Sequence, residues 1–378
     1  MKHDSKLAWF DFFRGVAAFI VTTGHLRALI LDDFTKTSNP FIKLFYFVTG
    51  FAHDAVMVFF VLSGFFIISS IHQAVISNRW SAKDYMINRL TRLWVVLLPA
   101  LILTFLLDKV GLMQFKNAYT YTGTITTMTA INPYDSLSFG DFIGNLFFLQ
   151  YIKVPTFGSN GALWSLANEF WYYTLFPLLY FSVRKHYSWL TRVFLLILAL
   201  ACFYFIGINK SEYFIIWLMG GAAFIIIKKD LFLKKYIALK LWLILLAFCT
   251  VLLYARVNTS HPGITDFSVG LVTCFLLCVF SKTPMKNSYL RKASVFFSNI
   301  SYTVYATHLS FSVLLVTIFY THRVPFTFLS FVSYTLIFIA NMVYCYALYY
   351  LFERNTPLVK QYVKKILAIK SSSELAKE

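Results

Sequence analysis

Ten apolar runs of bilayer-spanning length divide the sequence, near residues 8–31, 54–76, 91–108, 161–183, 191–208, 212–228, 236–255, 266–281, 298–320 and 327–352. About 20 apolar residues carry a helix across the hydrocarbon core, where every backbone N–H and C=O must be satisfied within its own segment. The pattern predicts an all-α polytopic membrane protein with about ten transmembrane helices. The third and eighth runs are short, which leaves the count between about nine and eleven. Between the third and fourth runs lies a polar stretch, 109–160, rich in Thr, Tyr and Asn and containing Pro133 and Gly140. A connection of that length is more often functional than a tether, and Phe142 to Tyr151 within it reads as an interfacial helix. Residues 1–355 form the membrane domain. The remaining 356–378 read as a short basic amphipathic tail, with Tyr362, Val363, Ile366, Leu367 and Ile369 on its apolar side, expected to lie on an anionic membrane surface.

Composition agrees: 59% of the chain is hydrophobic, 20% aromatic and only 13% charged, far from a soluble domain. The formal charge of +18 changes the picture only through its placement. Of 34 Lys and Arg residues, 24 fall in the N-terminal segment, in alternate loops and in the C-terminal tail, while the opposite loops hold eight. That alternation is the positive-inside signature of a membrane protein with both termini cytoplasmic, and it removes nucleic acid as the reason for the basic balance. The first run is long and lacks a small-residue cleavage pattern, so it reads as an uncleaved first helix. The five cysteines, Cys202, Cys249, Cys274, Cys278 and Cys345, all sit in apolar runs. Cys274 and Cys278 share a helix face without a neighbouring His or carboxylate, so all five read as packing residues and no metal site is expected.

Ionisable groups inside these runs carry the chemistry, because they are expensive in lipid and usually face a partner or a cavity. The first run holds Asp11, Arg14, His25 and Arg27. Arg14 and His25 are eleven residues apart, three helical turns plus about 20°, which puts them on one face with a rise of roughly 16 Å. The second run centres on Ser63 and Gly64, small residues that admit a close neighbour, either a packing helix or a ligand. Arg89 and Arg92 are i,i+3 neighbours at the start of the third run, placed either as membrane anchors or as a phosphate clamp. The fourth run opens Asn160-Gly161-Ala162-Leu163-Trp164-Ser165 and carries Glu169, with Ser165 one turn before it. Counted from the helix ends, Glu169 lies about 12 Å deep and His25 about 9 Å. The matched depth predicts a carboxylate–imidazole pair, which would raise the basicity of His25. The ninth run adds Tyr302, Tyr305 and His308. Four polar helices converging on one depth predict a polar chamber for reaction or transport.

Taken together, Arg14 and His25, the Phe-Phe-Val-Leu-Ser-Gly-Phe run at 59–65, the stretch from Arg89 to Pro99, Trp164-Ser165-Leu166 with Glu169, and Ser301-Tyr302 with Tyr305 and His308 resemble the acyltransferase-3 family of integral membrane O-acyltransferases. The resemblance runs from about residue 5 to 355. It implies ten core helices in the cytoplasmic membrane and an acyl-CoA donor, most simply acetyl-CoA, approaching from the cytoplasm. The acceptor it implies is a hydroxyl of a surface polysaccharide, lipopolysaccharide or lipid-linked sugar at the outer face. By position, Arg14 and His25 match the family's essential pair, and Glu169 with Trp164-Ser165 matches its fourth-helix motif. The expected roles follow: His25 and Glu169 catalytic; Arg14, Arg89 and Arg92 on the donor phosphates; Asp11, Ser63, Gly64, Trp164, Ser165, Tyr302, Tyr305 and His308 supporting substrate or structure. Two departures stand out. The residues before Phe59 read His53-Asp54-Ala55-Val56-Met57 where many members have Gly-Val-Asp, which makes His53 a candidate replacement. No hydrolase-type soluble domain follows the last run, so one polypeptide finishes the transfer or hands it to a separate partner.

The competing class is a transporter or lipid-linked sugar flippase lined by the same polar residues. Transporters usually carry repeats and helices broken at corresponding positions, and the sequence shows neither. A sensor or scaffold with degenerate motifs is a third class, disfavoured by intact Arg14, His25 and Glu169.

Overall fold

All ten apolar runs are helical in the computed structural model, which describes residues 7–122, 133–207, 211–231, 236–257 and 262–375. In chain order the helices are α1 (Ala8–Ile30), α2 (Pro40–Val48), α3 (Ala52–Ile76), α4 (Ala82–Phe115), α5 (Phe139–Leu146), α6 (Trp164–Ser182), α7 (Trp189–Ile206), α8 (Ser211–Lys228), α9 (Ile237–Val257), α10 (Pro262–Phe280), α11 (Ser288–Phe319), α12 (Phe328–Leu351) and α13 (Thr356–Leu375). Of the basic residues counted above, Lys2, Lys6, Lys210, Lys234, Lys235 and Lys377 lie outside the described residues.

Local chemistry sets the helix starts. Ser81 Oγ accepts the Asp84 N–H at the head of α4, and Asn287 Oδ1 accepts two N–H groups at the head of α11. Such caps satisfy donors that a helix start leaves orphaned. The short third run is the middle of α4, which spans 34 residues and continues through Pro99. Among the described residues, eight helices are long and apolar enough to cross a membrane on their own; α6 and α8 are not in that set. Ser165, Asn168 and Glu169 dilute the hydropathy of α6. Both helices pack within the bundle, α6 on α7 and α8 on α3 and α10, with Trp217 of α8 fully buried. By contrast, none of the spanning window of α9 is buried, so α9 lies on the outside of the bundle, packed on α10.

The start of α1 and the last helix both lie by the start of α4. Leu7, just before α1, shares a cavity with Arg89 and Arg92, and Lys364 of α13 pairs with Asp84 in the first turn of α4. At the other end, the exit of α1 is tied to the α11–α12 turn. The Asp32 N–H donates to Val324 O and the Val324 N–H to Ile30 O, each at 2.9 Å. There the hydrogen bond from Arg323 holds the Asp33 carboxyl below the usual carboxylate range.

The 109–160 stretch differs from its expectation. Its helix, α5, begins and ends earlier than Phe142 to Tyr151. The part from Pro133 onward is stitched to the bundle: Asp108 of α4 accepts the N–H and the O–H of Ser159, both at 2.7 Å, while Phe148 and Phe157 are buried. Residues 123–132 lie outside the described residues.

Candidate active site

A cavity of about 440 Å³ lies between α1, α3, α4, α6 and α11, and the three expected donor cations, Arg14, Arg89 and Arg92, all line it. Arg14 is braced from both sides. Its guanidinium donates to Ser298 Oγ at 3.3 Å, the Ser298 hydroxyl donates to Asp11 Oδ1 at 2.8 Å, and the cation sits 4.7 Å from the Phe66 ring centre. Arg89 Nη2 donates to Ser70 Oγ at 3.1 Å, while its buried Nε has no partner among the described residues. A buried donor left unpaired costs free energy, so this edge of Arg89 is available to an anionic ligand. Planar guanidinium forks suit phosphate oxygens. The fold thus brings together the three arginines that the sequence scatters over α1 and α4.

Glu169 also lines this cavity, but its partners are not the expected one. The Ser63 hydroxyl donates to Glu169 Oε1 at 2.7 Å, the Tyr173 hydroxyl donates to the same oxygen, and Trp217 Nε1–H donates to Ser63 Oγ at 3.2 Å. His25 instead lies against His308 of α11, with 2.9 Å between His25 Nδ1 and His308 Nε2. The expected His25–Glu169 pair is therefore replaced by two separate units, Glu169–Ser63–Tyr173 and His25–His308. Matched depth is a necessary condition for pairing and not a sufficient one, since two side chains at one height can face different neighbours around their helices. Neither His25 nor His308 lines the arginine cavity. That cavity reaches Ser165 and Tyr305, whose hydroxyls lie 2.5 Å apart, and the Tyr305 ring centre is 6.4 Å from that of His308.

Arginines at one end, a carboxylate and hydroxyls in the middle and an imidazole pair beyond them make an arrangement able to hold an anion and move a proton. A family model described as an acyltransferase domain matches residues 7–350. The chain belongs to the acyltransferase-3 family. No curated protein and no solved structure matches it. It is a membrane acyltransferase with multiple spanning helices.

Within this acyltransferase-3 chain the remaining candidate residues separate by role. Tyr302 lines the cavity and donates to Leu93 O at 2.9 Å, locking α11 to α4. Gly64 is a packing residue: a Cβ there would meet Trp217 O at 1.9 Å, and Gly220 of α8 returns the contact against Val61 O. Trp164 lies outside the cavity lining. Its ring is nearly parallel to that of His53, at 13° with centres 6.1 Å apart, and it also contacts Tyr213. His53 Nε2 lies 2.9 Å from Asp266 Oδ2 of α10, so the departure before Phe59 builds a polar contact between α3 and α10. Sequence reasoning missed Tyr173, Ser298 and Glu353. The i,i+4 spacing of Glu169 and Tyr173 was a usable signal. Glu353, which accepts from the Thr303 N–H at 3.1 Å and its hydroxyl at 2.5 Å, follows the last apolar run, where no pattern marks it.

Proposed function

We propose that this acyltransferase moves an acyl group, most simply acetyl, from cytoplasmic acyl-CoA to a hydroxyl of a surface polysaccharide, lipopolysaccharide or lipid-linked sugar on the opposite face of the cell's inner membrane. The observation that carries the reading is the convergence of Arg14, Arg89 and Arg92 on one cavity, at the end of the bundle where α1 and α4 begin. Their charges match donor phosphates. The sequence positions of the basic residues, read by the positive-inside rule, support that end as the cytoplasmic one. Arg14 and His25 lie on one unbroken helix, α1, about 16 Å apart along its axis, a distance comparable with an extended phosphopantetheine arm.

His25 takes the proton of the acceptor hydroxyl as that oxygen attacks the thioester carbonyl. The C–S bond breaks, and the proton passes from His25 to the departing thiolate. Ser165 and Tyr305, the hydroxyl pair between the cavity and the histidines, orient the thioester end. No metal is invoked. Purified protein in lipid nanodiscs should release free coenzyme A when acetyl-CoA and an extracted surface glycan are added together, with acetylated glycan found by mass spectrometry. Sugar-lipid movement across proteoliposomes without coenzyme A release would overturn the reading in favour of transport.

A further inference from the structure

The structure assigns a positioning role to His308: it fixes which nitrogen of His25 carries the proton, leaving His25 Nε2 as the free base. The assignment follows from donor and acceptor rules applied at three contacts. His308 Nδ1 lies 2.8 Å from Val304 O and 3.1 Å from Tyr305 O, the carbonyls one turn back on α11. Carbonyl oxygens only accept, so His308 Nδ1 carries a hydrogen. In the neutral ring its Nε2 is then a bare lone pair. That lone pair faces His25 Nδ1 at 2.9 Å, and two facing lone pairs would repel, so His25 Nδ1 carries the hydrogen that joins the rings. Neutral His25 is therefore the Nδ1–H tautomer.

The ring geometry supports a bond in the ring planes. The two rings are tilted by only 11°, with centres 5.2 Å apart. That separation is the 2.9 Å N···N gap plus the two ring radii, so the contact runs edge to edge and is not face stacking. His308 is fully buried, and its own carbonyl accepts from Asn341 Nδ2 of α12 at 2.9 Å. His25 is only partly buried, and its Nε2 accepts no hydrogen bond from the protein among the described residues. A histidine here does what a carboxylate does in a Ser-His-Asp triad, orienting the base through its far nitrogen. The catalytic consequence rests on the acyl-transfer reading; the tautomer does not.

Protein uniformly 15N-labelled at its eight histidines, in nanodiscs, tests this directly. The His25 resonances, identified by their loss in His25→Gln, should show a protonated Nδ1 and an unprotonated Nε2. His308→Leu should turn this into a tautomer mixture and lower kcat by about 10² to 10⁴-fold, with the KM for acetyl-CoA within about threefold of wild type. His308→Gln, whose carbonyl can accept from His25 Nδ1–H, should restore the tautomer and most of the rate. A protonated Nε2 on wild-type His25 overturns the assignment, and this measurement stands even when position 308 variants fold poorly. Active protein with that spectrum sinks the tautomer and leaves acyl transfer standing. Inactive protein with the expected spectrum does the reverse.

Discussion

His25→Ala separates the chemistry from the scaffold, because the side chain is partly buried and, among the described residues, its one hydrogen bond is to His308. The variant should insert and fold, and lose transfer by at least about 10² to 10⁴-fold, the usual contribution of a general base. Turnover of the purified variant within about threefold of wild type would take His25 out of the mechanism. Arg14→Lys asks a different question, since charge is kept and the planar fork is lost. Weaker acyl-CoA binding by about tenfold in a calorimetric titration is expected, with the fold intact. Equal affinity would make Arg14 a brace for Asp11 and Ser298 alone. At this scale the sequence singled out Arg14, Arg89, Arg92 and Glu169, which the fold gathers around one cavity, and misled on the partner of His25. Distances along a helix follow from residue number, which placed Arg14 and His25 on one face. Depth alone could not choose partners across helices: Glu169 turns to Ser63 and His25 to His308, and which neighbour each side chain faces around its helix does not follow from residue counting.

Among the helices, α3 and α8 meet where their backbones approach most closely. A Cβ on Gly64 would lie 1.9 Å from Trp217 O, and one on Gly220 would lie 1.9 Å from Val61 O. Backbone cannot yield as a side chain can, so Gly64→Val should force the helices apart at a cost of about 1–3 kcal/mol or more. Ser63 would then move away from Glu169, and Trp217 from Ser63. Lowered thermal stability together with lost activity is the expected pair of readouts, and a thermally unchanged, fully active variant would contradict this packing. The small side chains of Ser63-Gly64 pointed to a close approach, but left open whether helix or ligand made it. The answer came from Trp217, a residue 153 positions later that no local pattern links to Gly64. The helices themselves were legible because lipid leaves the backbone so few choices. The connection at 109–160 was less so, since its order comes from buried hydrogen bonds to Asp108 and Asn145.

For the molecule as a whole, the arginine cavity and the histidine pair are separate stations joined through Ser165 and Tyr305. The proposed direct attack requires donor and acceptor to be bound together, so initial-rate plots against acetyl-CoA and glycan should intersect. Parallel lines, with a trapped acyl-enzyme that vanishes in His25→Ala, would replace direct attack with an acyl-imidazole route.

The hydroxyl contact between Ser165 and Tyr305 has a bioenergetic side. A protein that passes a reactive group through a membrane risks short-circuiting the ion gradients that membrane maintains. That hydrogen-bonded pair lines the cavity on the side of Tyr305 that neighbours His308, and it is expected to keep the resting protein from conducting protons. Liposomes carrying it should hold an imposed proton gradient as long as empty ones do, whereas Tyr305→Ala should discharge it, read as faster decay of an internal pH dye. Equal decay in the two proteins would place the insulating barrier elsewhere along the passage.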